Sequence, residues 1–216
     1  MNAREVVING ESVLLLPQKA LYWPREKMLV IADIHFGKAA AFRAQGVPVP
    51  RGTTTQNLEA LDELMGLHET RQIIFLGDFL HARASHASAT VAAMLAWRLR
   101  HPHLRLLLVR GNHDLRAGDP SASLGIEMVD EPFTVAPFSF CHHPDIAGDG
   151  YVLAGHVHPV FVLSGRLDSL RLPCFLAGPT RMVLPSFGAF TGGYVVNRMA
   201  DEHVYVTSGE AVHCVR

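Results

Sequence analysis

Asp33 and His35 stand two residues apart at the end of an apolar run, Met28-Leu29-Val30-Ile31-Ala32. On a regular strand such positions share one face, so a carboxylate and an imidazole there can clasp one cation. A second run, Ile73-Ile74-Phe75-Leu76, delivers Asp78 behind Gly77, which lets the backbone turn sharply. A carboxylate so placed can bridge two ions. A third run, Leu106-Leu107-Leu108-Val109, leads through Arg110 and Gly111 to Asn112, His113 and Asp114. Asn112 offers a neutral carbonyl oxygen, an unusual ligand. Two polar clusters follow, Cys141-His142-His143-Pro144 and Gly155-His156-Val157-His158. Their imidazoles can complete two coordination shells. The mixed O/N donor set suits Mn²⁺, Fe, Zn²⁺ or Co²⁺ better than a structural zinc site.

Two such ions, ~3.5–4 Å apart, clamp an in-line displacement at phosphorus and lower the pKa of a bridging water from ~15.7 toward ~7. The resulting hydroxide attacks the phosphorus. His113, beside Asn112, is placed to protonate the departing oxygen, and Asp114 to orient it. An unperturbed histidine pKa of ~6.5 suits that task near neutral pH.

The elements that carry these residues are legible in outline. Strands that end together in a sheet bring their C-terminal loops to one crevice. Val6 to Leu16 reads as a hairpin with an Asn9-Gly10 turn. A Gly/Pro-rich linker runs from Gly46 through Pro50 and Arg51 to Gly52. Thr53-Thr54-Thr55-Gln56 has capping-box spacing and should open a helix that turns Leu58, Leu61, Leu64 and Met65 inward. A second helix starts near Ser85, carries Val91, Met94 and Trp97, and ends before Pro102. With the three apolar runs this makes a β-α-β-α-β start, hence parallel strands. After Asp114 the chain is mostly short β runs, from Phe133-Thr134-Val135 to Ala211-Val212-His213. One domain over residues 1–216, α/β then mostly β (α+β), with two packed sheets and flanking helices, fits this layout.

The chain has 216 residues and a formal net charge of −1, so nothing global attracts it to a polyanion or an anionic membrane. Any such binding must come from a local patch or from bound metal. Three cysteines, Cys141, Cys174 and Cys214, form no CxxC pair and suggest a reducing cytoplasm. No apolar stretch reaches the ~18 residues of a membrane span, and Asn9, Gly10 and Glu11 interrupt any signal-like segment.

The ordered elements D-x-H, GD, GNH[DE], a lone H and GHxH resemble the calcineurin-like metallophosphoesterases. The resemblance runs from Asp33 to His158. It implies a four-layer α/β/β/α sandwich and two metal sites. Asp33, His35, Asp78 and His158 would bind the first ion; Asp78, Asn112, His142 and His156 the second. It assigns His142 rather than His143 by analogy with members that carry H-x-P at this point.

A narrower resemblance covers nearly the whole chain. Asp33-Ile34-His35-Phe36-Gly37-Lys38, Gly46-Val47-Pro48-Val49-Pro50, Gly155-His156-Val157-His158-Pro159 and Leu184-Pro185-Ser186-Phe187-Gly188 are similar to the bacterial ligase-associated DNA damage response endonucleases of the PdeM type. That family is usually encoded beside an ATP-dependent DNA ligase and a helicase. The resemblance implies a Mn²⁺-dependent phosphodiesterase or endonuclease acting on DNA. His81, in Gly77-Asp78-Phe79-Leu80-His81, brings the chain closer to double-strand-break repair nucleases.

Lys38, Arg43 and Arg83 follow ligand segments and are candidates to touch phosphate, as is His81. Each also has a plain reading as a solvated or paired residue. The run from Arg98 to Arg105 reads as helix C-terminal cations more readily than as a DNA patch. Cys141 reads as a small buried residue. Pro185 to Gly193 either shapes a rim of the site or merely joins strands. The rival functions are a small-molecule or cyclic-nucleotide phosphodiesterase, a phosphomonoesterase or protein phosphatase, and a non-catalytic interaction module.

Overall fold

The computed structural model describes residues 2–49, 52–166 and 168–215. Pro50 and Arg51, within the expected linker, lie outside them. The first half contains β1 (Arg4–Ile8), β2 (Glu11–Leu16), β3 (Ala20–Trp23), β4 (Met28–Ala32), α1 (Lys38–Ala44), α2 (Thr53–Leu67), β5 (Gln72–Leu76), α3 (Ser88–Arg100), β6 (Arg105–Val109), α4 (Asn112–Ala117) and β7 (Ile126–Val129). The second half contains β8 (Phe133–Val135), β9 (Phe138–Cys141), β10 (Tyr151–Ala154), β11 (Pro159–Ser164), β12 (Ser169–Ala177), β13 (Arg181–Val183), β14 (Tyr194–Val195), β15 (His203–Thr207) and β16 (Val212–Val215).

Both sheets are mixed. The first runs β1-β2-β3-β4-β5-β6-β7, antiparallel up to β4 and parallel from β4 to β7. The second is built around β14-β11-β12-β13-β10-β9-β8, with β15 and β16 alongside. Strands β4, β5 and β6 of the parallel block are apolar on both faces, as sheets covered on both sides require. Leu29 and Ile31 of β4 meet Leu58, Leu61 and Leu64 of α2 and Met94 and Trp97 of α3. Val30 and Ala32 face the second sheet, where Phe138, Phe140, Leu153, Phe175 and Met182 fill the space between the layers. Fully burying one such side chain contributes about 1.5–3 kcal/mol. The expected sandwich of two packed mixed sheets is therefore present, with its helices against the first sheet. Among the described residues no helix follows Leu124, so the outer face of the second sheet carries only small apolar clusters around Cys174 and Cys141.

Register explains why the polar tips meet. Ala32 pairs with Leu76, and Leu76 with Val109, so β4, β5 and β6 end in one row. Ala154 pairs with Cys141 and Val183, so β9, β10 and β13 end together too. Five polar clusters thus leave from two facing strand rows.

Some local expectations change. The Asn9-Gly10 hairpin forms, with both residues at positive φ (48° and 81°). The capping box does not: Thr53 is already inside α2, Gly52 is the N-cap, and no side chain caps the end. Gly52 at φ 94° turns the chain into the helix one residue early. The second helix begins at Ser88, because Arg83–His86 forms a separate 3₁₀ turn.

Candidate metal centre

Five of the expected ligands share an uncommon backbone. Asp33, His35, Asp78, His156 and His158 all have φ between 48° and 70°. Non-glycine residues seldom adopt this left-handed region, and clusters of them mark functional sites. The loops are laced together to hold it. His35 N–H donates to Asp78 O (2.9 Å) and Phe36 N–H to Phe79 O (2.8 Å). His156 N–H donates to Asp33 Oδ2 (2.9 Å) and His113 N–H to Asp78 Oδ1 (3.0 Å).

The donor atoms fall into two groups that share Asp78. Asp33, His35, Asp78 and His158 each offer one atom within 4.8 Å of the others. His35 Nε2 lies 3.4 Å from His158 Nε2 and 3.7 Å from Asp78 Oδ2. Burial, reinforced by the Lys38 ammonium, holds His35 far below the usual imidazole range. It is therefore neutral, the form that binds metal. In the second group His142 Nδ1 donates to Leu76 O (3.0 Å), which leaves Nε2 with its lone pair. That lone pair lies 2.9 Å from Asn112 Oδ1, 3.0 Å from His156 Nδ1 and 3.5 Å from Asp78 Oδ1.

Two observations test whether cations fit. Asp33 Oδ1 is buried and has no hydrogen-bond partner. His142 Nε2 and Asn112 Oδ1 face each other as acceptors, a contact that repels unless a positive charge lies among them. Both sites fit a divalent ion of O/N preference. Adding Mn²⁺ to chelator-stripped protein should raise Tm by roughly 5–10 °C at 100-fold excess over Kd. A melting curve indifferent to Mn²⁺ and to chelator would count against both sites.

His143 joins His142 and His156 in a cluster but is tied elsewhere. Its Nδ1 lies 2.6 Å from Glu131 Oε1, and Glu131 Oε2 accepts the backbone N–H of both His142 and His143 (2.7 and 2.8 Å). Glu131 follows β7, for which no element was expected, and nothing local in the sequence marks it. Glycines admit this packing. A Cβ on Gly77, already at φ 74°, would stand 2.2 Å from His142 Nδ1. Gly77→Ala should therefore push His142 off the Leu76 carbonyl, cost about 1–3 kcal/mol and lower the bound metal per chain. Elemental analysis beside a denaturant titration checks this; unchanged metal content would contradict it.

His113 Nδ1 donates to His81 O (2.7 Å), which leaves Nε2 3.9 Å from Asp78 Oδ2. Its ring stacks on His81 (4.8 Å, 20°). Asp114 does not touch the ring, contrary to expectation. Its carboxylate is buried and accepts from Leu80 N–H (2.9 Å) and Gly111 N–H (3.0 Å), so it fastens the loops on either side of His113. Burial pushes its carboxyl above the usual range.

The remaining candidates divide. Lys38 is half-buried, and Asp78 and Asp33 lie close enough to support its charge against a lowering by burial. His81 is pushed down to about 4 by burial, Lys38 and His113, and lies 3.5 Å from His35 ring to ring nitrogen. Arg43 is exposed at the end of α1 and lines a hollow of about 340 Å³ with the first turns of α2 and α3. Arg83 is exposed on the 3₁₀ turn. The basic run is spoken for: Arg98 caps the carbonyls of His101 and Leu104, Arg100 and His101 pair with Asp62, and Arg105 pairs with Glu127. Cys141 is buried, with its thiol pushed up to about 11.

Residues 185–193 form a wall of the site. Phe187 N–H donates to Ala32 O (2.8 Å), and Ser186 Oγ donates to Asp33 O (2.8 Å). Buried Asn57 bridges Ile34 O and Ala189 N–H (2.9 Å each). A polar residue among the apolar positions of α2 was the one sequence signal for that bridge.

A two-sheet sandwich with this donor set on its strand ends defines a metal-dependent phosphoesterase. The chain belongs to the calcineurin-like phosphoesterase family, which matches residues 26–172. The crystal structure of Pseudomonas putida nuclease MPE is similar over nearly the full length, with 45% identity, 99% of this chain and 100% of that chain covered, and a TM-score of 0.88. A protein of unknown function from Aquifex aeolicus (18% identity, 61% and 78% covered, TM-score 0.41) and a Vps29 double mutant from Entamoeba histolytica (14%, 88% and 97%, 0.33) are too distant to carry an argument. No curated protein matches the chain. Cys141, Cys174 and Cys214 are all free, and no described helix is long and apolar enough to cross a membrane.

Proposed function

We propose that this phosphoesterase is a dinuclear, Mn²⁺-dependent phosphodiesterase that cuts DNA, the whole chain acting as one domain. The supporting observation is the full-length similarity to a nuclease, joined to a complete donor set. Asp33, His35, Asp78 and His158 would hold one ion; Asp78, Asn112, His142 and His156 would hold the other. Bound there, the ions supply Lewis acidity toward phosphate oxygens and lower the pKa of water.

The chain's own residues do the rest. His113 donates a hydrogen bond from Nδ1–H to the His81 carbonyl, so Nε2 is the nitrogen left to deliver a proton to the leaving oxygen. His81 orients that ring by stacking and by its carbonyl. Lys38 offsets phosphate charge beside the carboxylates. Asp114 locks the loops that carry Asp78 and Asn112. A role in DNA repair beside a DNA ligase and a helicase, in the reducing cytoplasm that free thiols suit, completes the reading.

A panel of Mn²⁺-supported assays tests it with one preparation: single-stranded DNA, duplex DNA, RNA, a cyclic nucleotide and a phosphomonoester. DNA should be cut fastest. A monoester turned over faster than any diester would replace this reading with a phosphatase.

A further inference from the structure

We propose that Phe190, backed by Phe42, seats a nucleobase next to the scissile phosphate and so sets which substrates the centre accepts. The inference rests on the nuclease reading above. Four rings form a file that starts at the metal centre. His113 stacks on His81, and His81 stacks on Phe42 (5.8 Å, 16°). Phe190 meets Phe42 edge to face (5.9 Å, 85°) and is 39% exposed. The proposed acid stands at one end of this file and an exposed phenyl ring at the other.

A lone exposed phenylalanine is ordinary. This one sits on a loop fastened at both feet to expected ligands. Gly188 N–H donates to Asp33 O (3.3 Å), and Tyr194 N–H donates to His158 O (2.9 Å). The Gly193 carbonyl accepts from Arg171. The loop therefore holds Phe190 in register with the centre. Tyr194 adds a second ring, 70% exposed, at the far foot.

Charge points the same way. Net charge is −1, and the densest basic run is engaged with Asp62, Glu127 and helix carbonyls. A long electrostatic track for the backbone, the usual source of nucleic-acid affinity, is not built there. Local contacts must supply more of the binding, and aromatic faces do so for bases that have left their stack. Every base has a π face, so the seat accepts any sequence and requires an unstacked base.

The test uses a short oligonucleotide whose only cleavable linkage is one native phosphodiester among methylphosphonates. Phe190→Ala and Phe190→Leu should each lower kcat/KM roughly 5- to 150-fold, and Phe190→Trp should retain most of it. An abasic tetrahydrofuran residue, placed on one side of the linkage and then on the other, should cost the wild type a similar factor in one position. In that position Phe190→Ala should add little. Full activity of Phe190→Ala on the base-bearing strand overturns the proposal, as does an equal loss on the abasic strand. A leucine variant as active as wild type overturns it too, because bulk without a π face would then suffice. A wild type that cuts neither strand under Mn²⁺ overturns the nuclease reading and the seat with it.

Discussion

Asp78→Asn lowers Mn²⁺-supported hydrolysis of a phosphodiester about 10³-fold or more while the chain stays folded. Asp78 is the residue common to both donor groups, one oxygen facing His35 and the other His142. It is nearly buried, so its charge is screened little by solvent. An asparagine keeps the shape and can still accept His113 N–H through Oδ1, but it removes the negative charge that two ions there would need. Several kcal/mol of charge stabilisation is at stake, and each 1.36 kcal/mol is tenfold in rate. Metal content should fall with the rate. Activity within tenfold of wild type, with both ions retained, would remove Asp78 from the centre. Stripping the donor set's repulsion can even raise the stability of the metal-free chain, so a melting curve belongs beside the kinetics.

His113→Ala should separate substrates by leaving group. Its ring is fixed by the His81 carbonyl and by stacking, and Nε2 is the only nitrogen left to give a proton outward. A lost general acid typically costs ~10²–10⁴-fold. That loss should appear on an oligonucleotide, whose alkoxide leaves poorly without a proton. It should be small on bis(p-nitrophenyl) phosphate, whose nitrophenolate departs unaided. The backbone bond from His113 N–H to Asp78 survives the change, so the two donor groups stay assembled. Equal losses on both esters would point to a positioning role instead.

The candidate ligands are legible because each sits at the end of a locally apolar run, and strand periodicity is a short-range signal. The order D-x-H, GD, GNHD, H, GHxH did the rest. Helix α1 was not legible: Lys38 to Ala44 is alanine-rich, with no apolar repeat. Strand β7 and its Glu131 are hidden for a similar reason, since Ile126–Val129 is a short, half-buried strand with Glu127 exposed, and so lacks a continuous apolar run. The orienting partner of His113 is the His81 carbonyl, not the neighbouring carboxylate. Adjacency in sequence suggested Asp114, but the first turn of α4 points that carboxylate back at Gly111 and Leu80, and the carbonyl of His81 fills the place.

The sequence by itself determined which side chains gather, because strands that start and stop in register carry their tips to one edge. It also determined the donor chemistry, since residue type sets lone pairs and charge. Only the tertiary structure decided how those atoms face one another. The left-handed turns at Asp33, His35, Asp78, His156 and His158 are held by bonds between loops far apart in sequence, 123 residues for His156 to Asp33 and 153 for Ser186 to Asp33. The same holds for the proton on His142, the tether of His143 to Glu131 and the ring file out to Phe190. Each depends on a contact that only closing the two sheets creates.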